Sequence, residues 1–254
     1  MIRAAFERLR SRGETALIPY LTAGYPSLDL SLDHARTLER HGADLLEIGV
    51  PWSDPIADGP TIQRASHDAL AAGTRLRHVL DALEARRFDV PLVVMCYLNP
   101  LLALGRERVV ERLGRAGVGA LIVPDLPAEE AGPWQAALGH AGLALVPLVA
   151  PTTDGKRLGR VLESGDGFVY YVSLTGTTGA RAELAADVPA ALDGLRAATR
   201  RPVVVGFGIS TPHHVRVLRD HCDGVVVGSR VVEAIRKGEN LIELIESLKQ
   251  ATRR

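Results

Sequence analysis

Eight apolar segments of strand length recur along the chain, and segments with the period of an amphipathic helix separate them. The apolar segments are near-continuous runs of Val, Ile and Leu, which are typical of a parallel sheet covered by helices on its outer side. Several helical segments end in glycine, a common signal at a helix C-terminus. The predicted strands are residues 16–22, 43–49, 91–97, 118–124, 143–149, 167–173, 201–207 and 223–229.

This alternation predicts an α/β fold, a (β/α)₈ TIM barrel with an extra N-terminal helix and a longer C-terminal helix. The chain has 254 residues, of which 46% are hydrophobic, so it can bury a large core. No linker or low-complexity segment interrupts the pattern, and we expect residues 1–254 to form one barrel domain. An open doubly wound sheet is the alternative, because it has the same alternation of strands and helices.

Charge and composition exclude several classes of protein. Thirty Lys and Arg residues balance thirty Asp and Glu residues, whereas a nucleic-acid partner would favour a basic face. The longest apolar runs have the length of strands, so we expect no membrane span. The N-terminal sequence MIRAAFERLRSRGE has the pattern of an amphipathic helix and not of a signal peptide. Two cysteines, Cys96 and Cys222, form no disulfide framework, so a reducing, cytoplasmic location is expected.

Two of the predicted loops that follow strands are long, residues 50–60 and residues 174–186. In a compact barrel, long loops at the C-terminal ends of the strands usually carry the function. Loop 174–186 has few large apolar anchors, so we expect it to be mobile in the free protein. Loop 50–60 contains three prolines and is expected to be better ordered.

Three glycine clusters fall where the sixth, seventh and eighth predicted strands end. They are residues 176–179, 206–208 and 228–229. The loops after the last strands of such barrels commonly bind phosphate, because glycine lets an anion approach the backbone N–H groups. Each cluster alone could be a simple turn or helix cap, but three at neighbouring strand ends predict a phosphate-ester substrate.

The second predicted strand carries a carboxyl group at an unusual position. Strand alternation places Leu45, Glu47 and Gly49 on one face and Leu46 and Ile48 on the other. The apolar pair suits the helix-covered outside, so Glu47 is predicted to point into the barrel. An unpaired carboxyl group is costly there unless its pKa rises, and a raised pKa makes it a useful acid at neutral pH. The alternative is a structural Glu47 paired with an arginine.

Two further carboxyl groups follow in the loop after this strand. Asp58 directly precedes Gly59 and Pro60, so it could be catalytic, or cap the next helix, or do both. Asp54 lies in the sequence WSDP and is more typical of a turn that organises the loop.

The absence of certain residue types from the predicted strands excludes several reaction mechanisms. The three lysines, Lys156, Lys237 and Lys249, all lie outside the predicted strands, whereas a Schiff-base aldolase needs one inside the barrel. The eight histidines show no zinc-ligand spacing, and we expect no metal site. Cys96 lies within a strand and is interpreted as a packing residue. Carboxylate acid–base chemistry on a phosphorylated substrate remains.

Five segments in order along the chain resemble the tryptophan synthase alpha chain family. They are PYLTAGYP at 19–26, LEIGVPWSDPIADGPTIQ at 46–63, VPDLP at 123–127, YYVSLTGTTGAR at 170–181 and VGFGIS at 205–210. The resemblance implies a (β/α)₈ barrel that cleaves indole-3-glycerol phosphate to indole and glyceraldehyde 3-phosphate, a lyase reaction of tryptophan biosynthesis.

The resemblance also implies residue roles. Glu47 matches the principal catalytic acid–base, Asp58 the second catalytic carboxylate and Tyr170 the active-site tyrosine. The remaining substrate-binding positions, which line the pocket, support its loops or hold the phosphate, are Tyr20, Ile62, Tyr97, Asp125, Thr178, Gly179, Phe207, Gly208, Gly228 and Ser229.

Family members work with a beta chain, so an alpha-beta-beta-alpha heterotetramer is expected, with pyridoxal phosphate in the beta chain and no cofactor in this one. The apolar residues expected to face that partner are Trp52, Ile56, Leu98, Leu101 and Leu102.

Two residues depart from the family pattern. Trp52 stands where Phe is more usual, and Arg230 stands where Ala is more common. Arg230 could add a phosphate contact, or its charged group could extend outward to solvent, and the second interpretation is preferred.

Three other functions remain open at the level of sequence. The chain could be a lyase without a partner that releases free indole. It could be a catalytically weak barrel that acts mainly as a binding or activating subunit of a partner enzyme, although Glu47 and Asp58 argue against this. It could also be a different phosphate-binding barrel isomerase, in which case the motif at 46–63 would be a coincidence.

Overall fold

The computed structural model describes residues 1–153, 155–173, 185–206 and 208–254. Their strands form one parallel sheet that curves into a barrel, as the alternation of strands and helices predicts. The strands are β1 Ala16–Thr22, β2 Leu46–Gly49, β3 Leu92–Met95, β4 Val118–Ile122, β5 Ala144–Val146, β6 Leu148–Val149, β7 Val169–Val172, β8 Val203–Gly206 and β9 Gly224–Val227.

Helices connect the strands along the outside of the barrel. The order of strands in the sheet is β5-β4-β3-β2-β1-β9-β8-β7-β6. Consecutive strands are therefore paired, apart from β5 and β6 at the two ends of this order, and β1 also pairs with β9. The helices are α1 Ile2–Ser11, α2 Leu28–Arg40, α3 Pro60–Ala71, α4 Leu76–Glu84, α5 Leu98–Leu104, α6 Arg106–Arg115, α7 Gly132–His140, α8 Gly155–Glu163, α9 Val188–Ala198, α10 Pro212–Leu218, α11 Ser229–Lys237 and α12 Leu241–Ala251.

The ring is completed by a strand that is interrupted at Pro147. One strand was predicted over 143–149, whereas the structure has two short strands, β5 and β6, on either side of this proline. Proline has no backbone N–H group to donate to a sheet ladder. The part before Pro147 pairs with β4 and the part after it pairs with β7. These two parts occupy a single place in the ring, so the eight predicted places are retained.

Buried apolar side chains form two layers that the sheet separates. The outer layer contains Leu46 and Ile48 with the inward faces of the helices. The inner layer contains Leu45 and the side chains that fill the barrel. This confirms the predicted alternation along β2 and places Glu47 on the inner side.

Helix α1 closes the barrel at the N-terminal ends of the strands. Its side chains Ile2, Phe6 and Leu9 are buried within the inner layer. The rings of Phe6 and Phe168 pack with their centroids 5.7 Å apart. The opposite end of the barrel, where the strands end, is therefore the end that is left for a ligand.

We expect Phe6→Ala to lower the free energy of unfolding by about 3–5 kcal/mol, because truncation leaves a cavity in a packed interior. Urea denaturation followed by circular dichroism measures this loss. Arg8→Ala is the matched control, since Arg8 is exposed on the same helix, and its unfolding free energy should change by less than about 0.5 kcal/mol. Equal stability of the two variants would contradict the role given to α1.

Candidate active site

A cavity of about 660 Å³ opens at the C-terminal ends of the strands. Its floor comes from inward side chains of β1, β2, β3, β4, β6, β7 and β9, and its walls come from the loops after β2, β8 and β9. Apolar side chains such as Met95, Ile122 and Val226 make up much of the floor. A flat apolar ring attached to a polar chain would fit such a surface.

Glu47 lies in this floor and is only 2% exposed. Its Oε2 atom has no hydrogen-bond partner within the described part of the chain. Burial, together with the nearby charge of Asp58, raises the pKa of Glu47 to about 8. No arginine among the described residues pairs with it. Glu47 is therefore a protonated acid at neutral pH.

Asp58 lies in the loop after β2 and is also buried, at 4% exposed. Its Oδ2 accepts a hydrogen bond of 3.1 Å from the hydroxyl of Tyr97. Burial raises the pKa of Asp58 to about 6, and the hydrogen bond from Tyr97 opposes that rise. Asp58 is therefore mostly ionised at neutral pH, when Glu47 is mostly protonated.

The capping role considered for Asp58 is wrong. The N-cap residue of α3 is Gly59, Pro60 follows at the first helical position, and no side chain caps this helix. The carboxyl group of Asp58 instead turns toward the cavity and the Tyr97 hydroxyl. Asp54, in contrast, is exposed at a bend and accepts a hydrogen bond from Ser53, as its position in WSDP predicts.

Tyr97 lies just outside the strand in which it was predicted. Strand β3 ends at Met95, and Tyr97 is the N-cap residue of α5. Its hydroxyl accepts the backbone N–H of Ala57 at 2.9 Å while it donates to Asp58. Tyr97 follows the end of the neighbouring strand β3, and from there it fixes the loop that carries Asp58.

Two tyrosines in the cavity floor each lie over a glycine of the next strand. A Cβ atom at Gly49 would meet the Tyr20 hydroxyl at 2.1 Å, and a Cβ atom at Gly206 would meet the Tyr170 hydroxyl at 2.0 Å. The rings therefore need glycine beside them in order to lie flat against the sheet. Burial raises the pKa of both phenols well above the usual value, so both stay neutral. Ile62, from α3, also lines this space.

Backbone N–H groups collect at the end of the cavity next to β8 and β9. Gly208, Gly228 and Ser229 all line it. Gly208 has a φ of 77°, a conformation that favours glycine. Ser229 is the first residue of α11 and Gly228 is its N-cap, so this helix directs N–H groups without intrahelical acceptors toward the cavity. This end of the cavity is suited to an anion.

Arg230 follows these residues and also lines the cavity. The guanidinium pairs with the carboxylate of Glu239, which lies just beyond the C-terminal end of α11. The preferred interpretation, an outward-directed side chain, stays a prediction.

Several predicted positions lie away from the cavity floor or outside the described residues. Asp125 accepts the backbone N–H of Leu98 at 2.8 Å and so supports the start of α5. Leu101 was expected at the surface, but it is 1% exposed because it packs into the outer layer, so that expectation is wrong. Phe207, Thr178 and Gly179, with most of loop 174–186, lie outside the described residues.

Sequence reasoning missed the polar contacts that link these loops to the helices behind them. His214 is buried beneath the segment that follows β8, and its ring accepts a backbone hydrogen bond from Ser210. The adjacent pair His213–His214 was visible in the sequence, but helical periodicity alone did not show which of the two histidines is buried. Within the described residues, no three His, Cys, Asp or Glu side chains are grouped as a metal site would require. None of the described helices is long and apolar enough to cross a membrane.

The nearly closed parallel barrel, with its cavity where the strands end, defines a (β/α)₈-barrel enzyme. The family model for "Tryptophan synthase alpha chain" matches residues 6–253. The tryptophan synthase alpha chain of Carboxydothermus hydrogenoformans is 47% identical over 244 residues, which cover 95% of this chain and 90% of that protein. The corresponding protein of Roseiflexus castenholzii is 49% identical over 239 residues, covering 93% and 92% of the two chains.

Solved structures agree with the sequence relatives. A tryptophan synthase structure from Mycobacterium tuberculosis matches with a TM-score of 0.93 at 37% identity, covering 100% of this chain and 98% of that one. Tryptophan synthase subunit alpha from Legionella pneumophila matches with a TM-score of 0.88 at 31% identity, covering 99% and 97%. The chain belongs to the tryptophan synthase alpha chain family, a family of lyases that cleave indole-3-glycerol phosphate in tryptophan biosynthesis.

We expect Arg230→Ala to change the KM for indole-3-glycerol phosphate by less than about twofold, because its guanidinium is already paired with Glu239 and a partly exposed ion pair contributes little. Steady-state kinetics measures this, with Arg216→Ala, at an exposed position of α10, as the matched control. A KM raised about tenfold in Arg230→Ala alone would show that this arginine contacts the phosphate.

Proposed function

We propose that the cleavage of indole-3-glycerol phosphate takes place between Glu47 and Asp58, with Glu47 as the acid–base and Asp58 as the stabilising carboxylate. The observation that carries this proposal is the buried Glu47 carboxyl group, which faces the cavity with one oxygen unpaired among the described residues. A group in that state can give its proton to a substrate atom. Asp58, ionised beside it, supplies the negative charge.

The proposed reaction begins with a proton transfer from Glu47 to the indole ring carbon that bears the glycerol phosphate chain. Positive charge then develops on the ring nitrogen, whose N–H donates to Asp58. The ionised Glu47 next accepts the proton of the adjacent hydroxyl as the carbon–carbon bond breaks. The bonding electrons return to the ring, which leaves neutral indole and an aldehyde, glyceraldehyde 3-phosphate. The protonated ring takes up the electrons, so this route needs no Schiff base.

Substrate binding is proposed to divide between the two ends of the cavity. Tyr20, Ile62 and Tyr170 surround the indole ring, and this apolar region supports that placement. The phosphate is proposed to accept hydrogen bonds from the backbone N–H groups of Gly208, Gly228 and Ser229. Tyr97 and Asp125 are proposed to support the loops, since both hold backbone N–H groups of neighbouring segments. The substrate-binding roles implied for Thr178, Gly179 and Phe207 remain part of the proposal.

The proposed assembly is an alpha-beta-beta-alpha heterotetramer with a tryptophan synthase beta chain, which carries the pyridoxal phosphate while this chain needs no cofactor. The face around loop 50–60 and α5 supports this proposal, because Ile56 is 72% exposed and Leu102 is 57% exposed. Trp52 and Leu98 lie nearby and are partly exposed. The chain is also proposed to form a single barrel domain and to act in the cytoplasm.

The alternative is a weak catalyst that acts mainly as an activating subunit. Measuring indole release from indole-3-glycerol phosphate by the purified chain, with and without a cognate beta chain, separates the possibilities. Release in both cases that rises with the beta chain supports a partnered lyase, and equal release supports an unpartnered one. No release in either case, together with stimulation of the beta chain's own reaction, would establish the alternative.

We expect Glu47→Gln to lower kcat by about 10²–10⁴-fold, because the amide cannot donate and recover the proton. Binding of a non-cleavable phosphate ester of similar shape should persist. Asp54→Asn is the matched control, since it makes the same chemical change at an exposed loop position, and its turnover should equal that of the wild type. Near-wild-type turnover in Glu47→Gln would disprove the mechanism.

We expect a bell-shaped dependence of kcat/KM on pH, with limbs near 6 and 8. Activity falls below the lower limb as Asp58 gains a proton, and above the upper limb as Glu47 loses its own. Substrate phosphate also titrates at about pH 6, so the wild-type profile alone does not assign the lower limb.

Tyr97→Phe assigns that limb. Loss of its hydroxyl removes the hydrogen bond that lowers the pKa of Asp58, so the acidic limb should move to higher pH. The pKa of the substrate is the same for both proteins. An acidic limb that stays in place in Tyr97→Phe would assign it to the substrate rather than to Asp58.

A further inference from the structure

The segment between β8 and α10 is a short wall of the cavity. Strand β8 ends at Gly206 and α10 begins at Pro212. Gly208, Ile209 and Ser210 in between all line the cavity. With so few residues between a strand and a helix, the direction of each N–H group depends on the contacts that hold the segment.

A buried histidine holds this segment from behind. His214, on the first turn of α10, is 3% exposed. Its Nδ1 atom lies 3.3 Å from the backbone nitrogen of Ser210, and its own backbone N–H donates to the side-chain oxygen of Thr211 at 3.2 Å. A backbone N–H group can only donate, so Nδ1 must be the unprotonated acceptor of this hydrogen bond.

The contact with His214 leaves a distinct pattern of donors along the segment. The N–H group of Ser210 is taken by the ring, whereas the N–H groups of Gly208 and Ile209 have no acceptor among the described residues. Unpaired backbone donors at a cavity wall are costly unless a ligand or water accepts them. Gly228 and Ser229, at the start of α11, line the same end of the cavity.

We propose that His214 is a positioning residue for the substrate phosphate, acting by accepting the N–H of Ser210. That hydrogen bond fixes the Ser210 peptide and with it the two preceding N–H groups, which then face the anion. His214 itself touches neither the phosphate nor the reacting atoms. This inference rests on the proposed function, because it assumes that the phosphate binds at this end of the cavity.

Three variants test the hydrogen bond directly. In His214→Leu the acceptor is lost, while an apolar side chain fills much of the space. In His214→Asn the side-chain oxygen can take the place of Nδ1, so the acceptor is kept although volume is lost. His213→Leu is the matched control, because His213 is the exposed neighbour on the same helix. Thermal unfolding of each variant establishes that it is folded at the assay temperature.

The readouts are kcat and KM for indole-3-glycerol phosphate, with the Kd of a non-cleavable phosphate ester and of the same compound without its phosphate. In His214→Leu we expect KM and the Kd of the phosphate ester to rise about threefold to tenfold, the range expected for one hydrogen bond. Turnover should stay within about twofold, and so should the Kd of the dephosphorylated compound. His214→Asn should recover most of the loss, and His213→Leu should match the wild type.

Other outcomes overturn the inference. Equal weakening by His214→Leu and His214→Asn would mean that packing and not the acceptor matters. Equal weakening of both ligands would mean that His214 does not act on the phosphate, and an unchanged KM in folded His214→Leu would mean that it positions nothing. If the wild type itself does not cleave the substrate, or binds both ligands equally well, the proposed function fails instead, before any variant is compared.

Discussion

The cost of burying the Glu47 carboxyl group is the constraint on which the site depends. An ionised carboxylate in an apolar interior is strongly disfavoured, so the group keeps its proton instead. The barrel imposes this state through strand alternation, because β2 cannot bury Leu46 and Ile48 against the helices without turning Glu47 inward. The neighbouring charge of Asp58 acts in the same direction. Two carboxyl groups of similar intrinsic acidity thus hold different protonation states at neutral pH.

Asp58 keeps its charge because a hydrogen bond from Tyr97, outside the loop after β2, opposes the effect of burial on its pKa. The hydroxyl of Tyr97 donates a hydrogen bond to the carboxylate of Asp58 and accepts one from the backbone N–H of Ala57. The residue after Tyr97 gives its own N–H to Asp125, beyond the end of β4. The ends of β2, β3 and β4 are therefore joined by short polar contacts, and the loop that carries Asp58 does not depend on its prolines alone for its shape.

Periodicity in the sequence was sufficient for those features that depend on local burial. The barrel, the inward direction of Glu47 and the turn at Asp54 all follow from apolar spacing and from proline. Features that depend on a tertiary partner were not predictable in this way. Asp58 resembled a helix cap because its partner, Tyr97, is distant in sequence. Leu101 looked like a surface residue because the outer layer that covers it comes from other helices. Pro147 was visible in the sequence, but the sequence did not show that it divides one predicted strand into two parts that pair with different neighbours, β4 and β7.

The packing of tyrosine over glycine in the cavity floor has an evolutionary consequence. The Tyr20 ring occupies the space in which a side chain at Gly49 would lie, and Tyr170 does the same at Gly206. The glycine of such a pair cannot change while the ring stays, since a single substitution at the glycine collides with the ring. A larger residue at position 49 therefore requires a smaller one at position 20, and the same holds for positions 206 and 170. At these two places of the cavity floor, volume can be added at the glycine only where it is lost at the tyrosine.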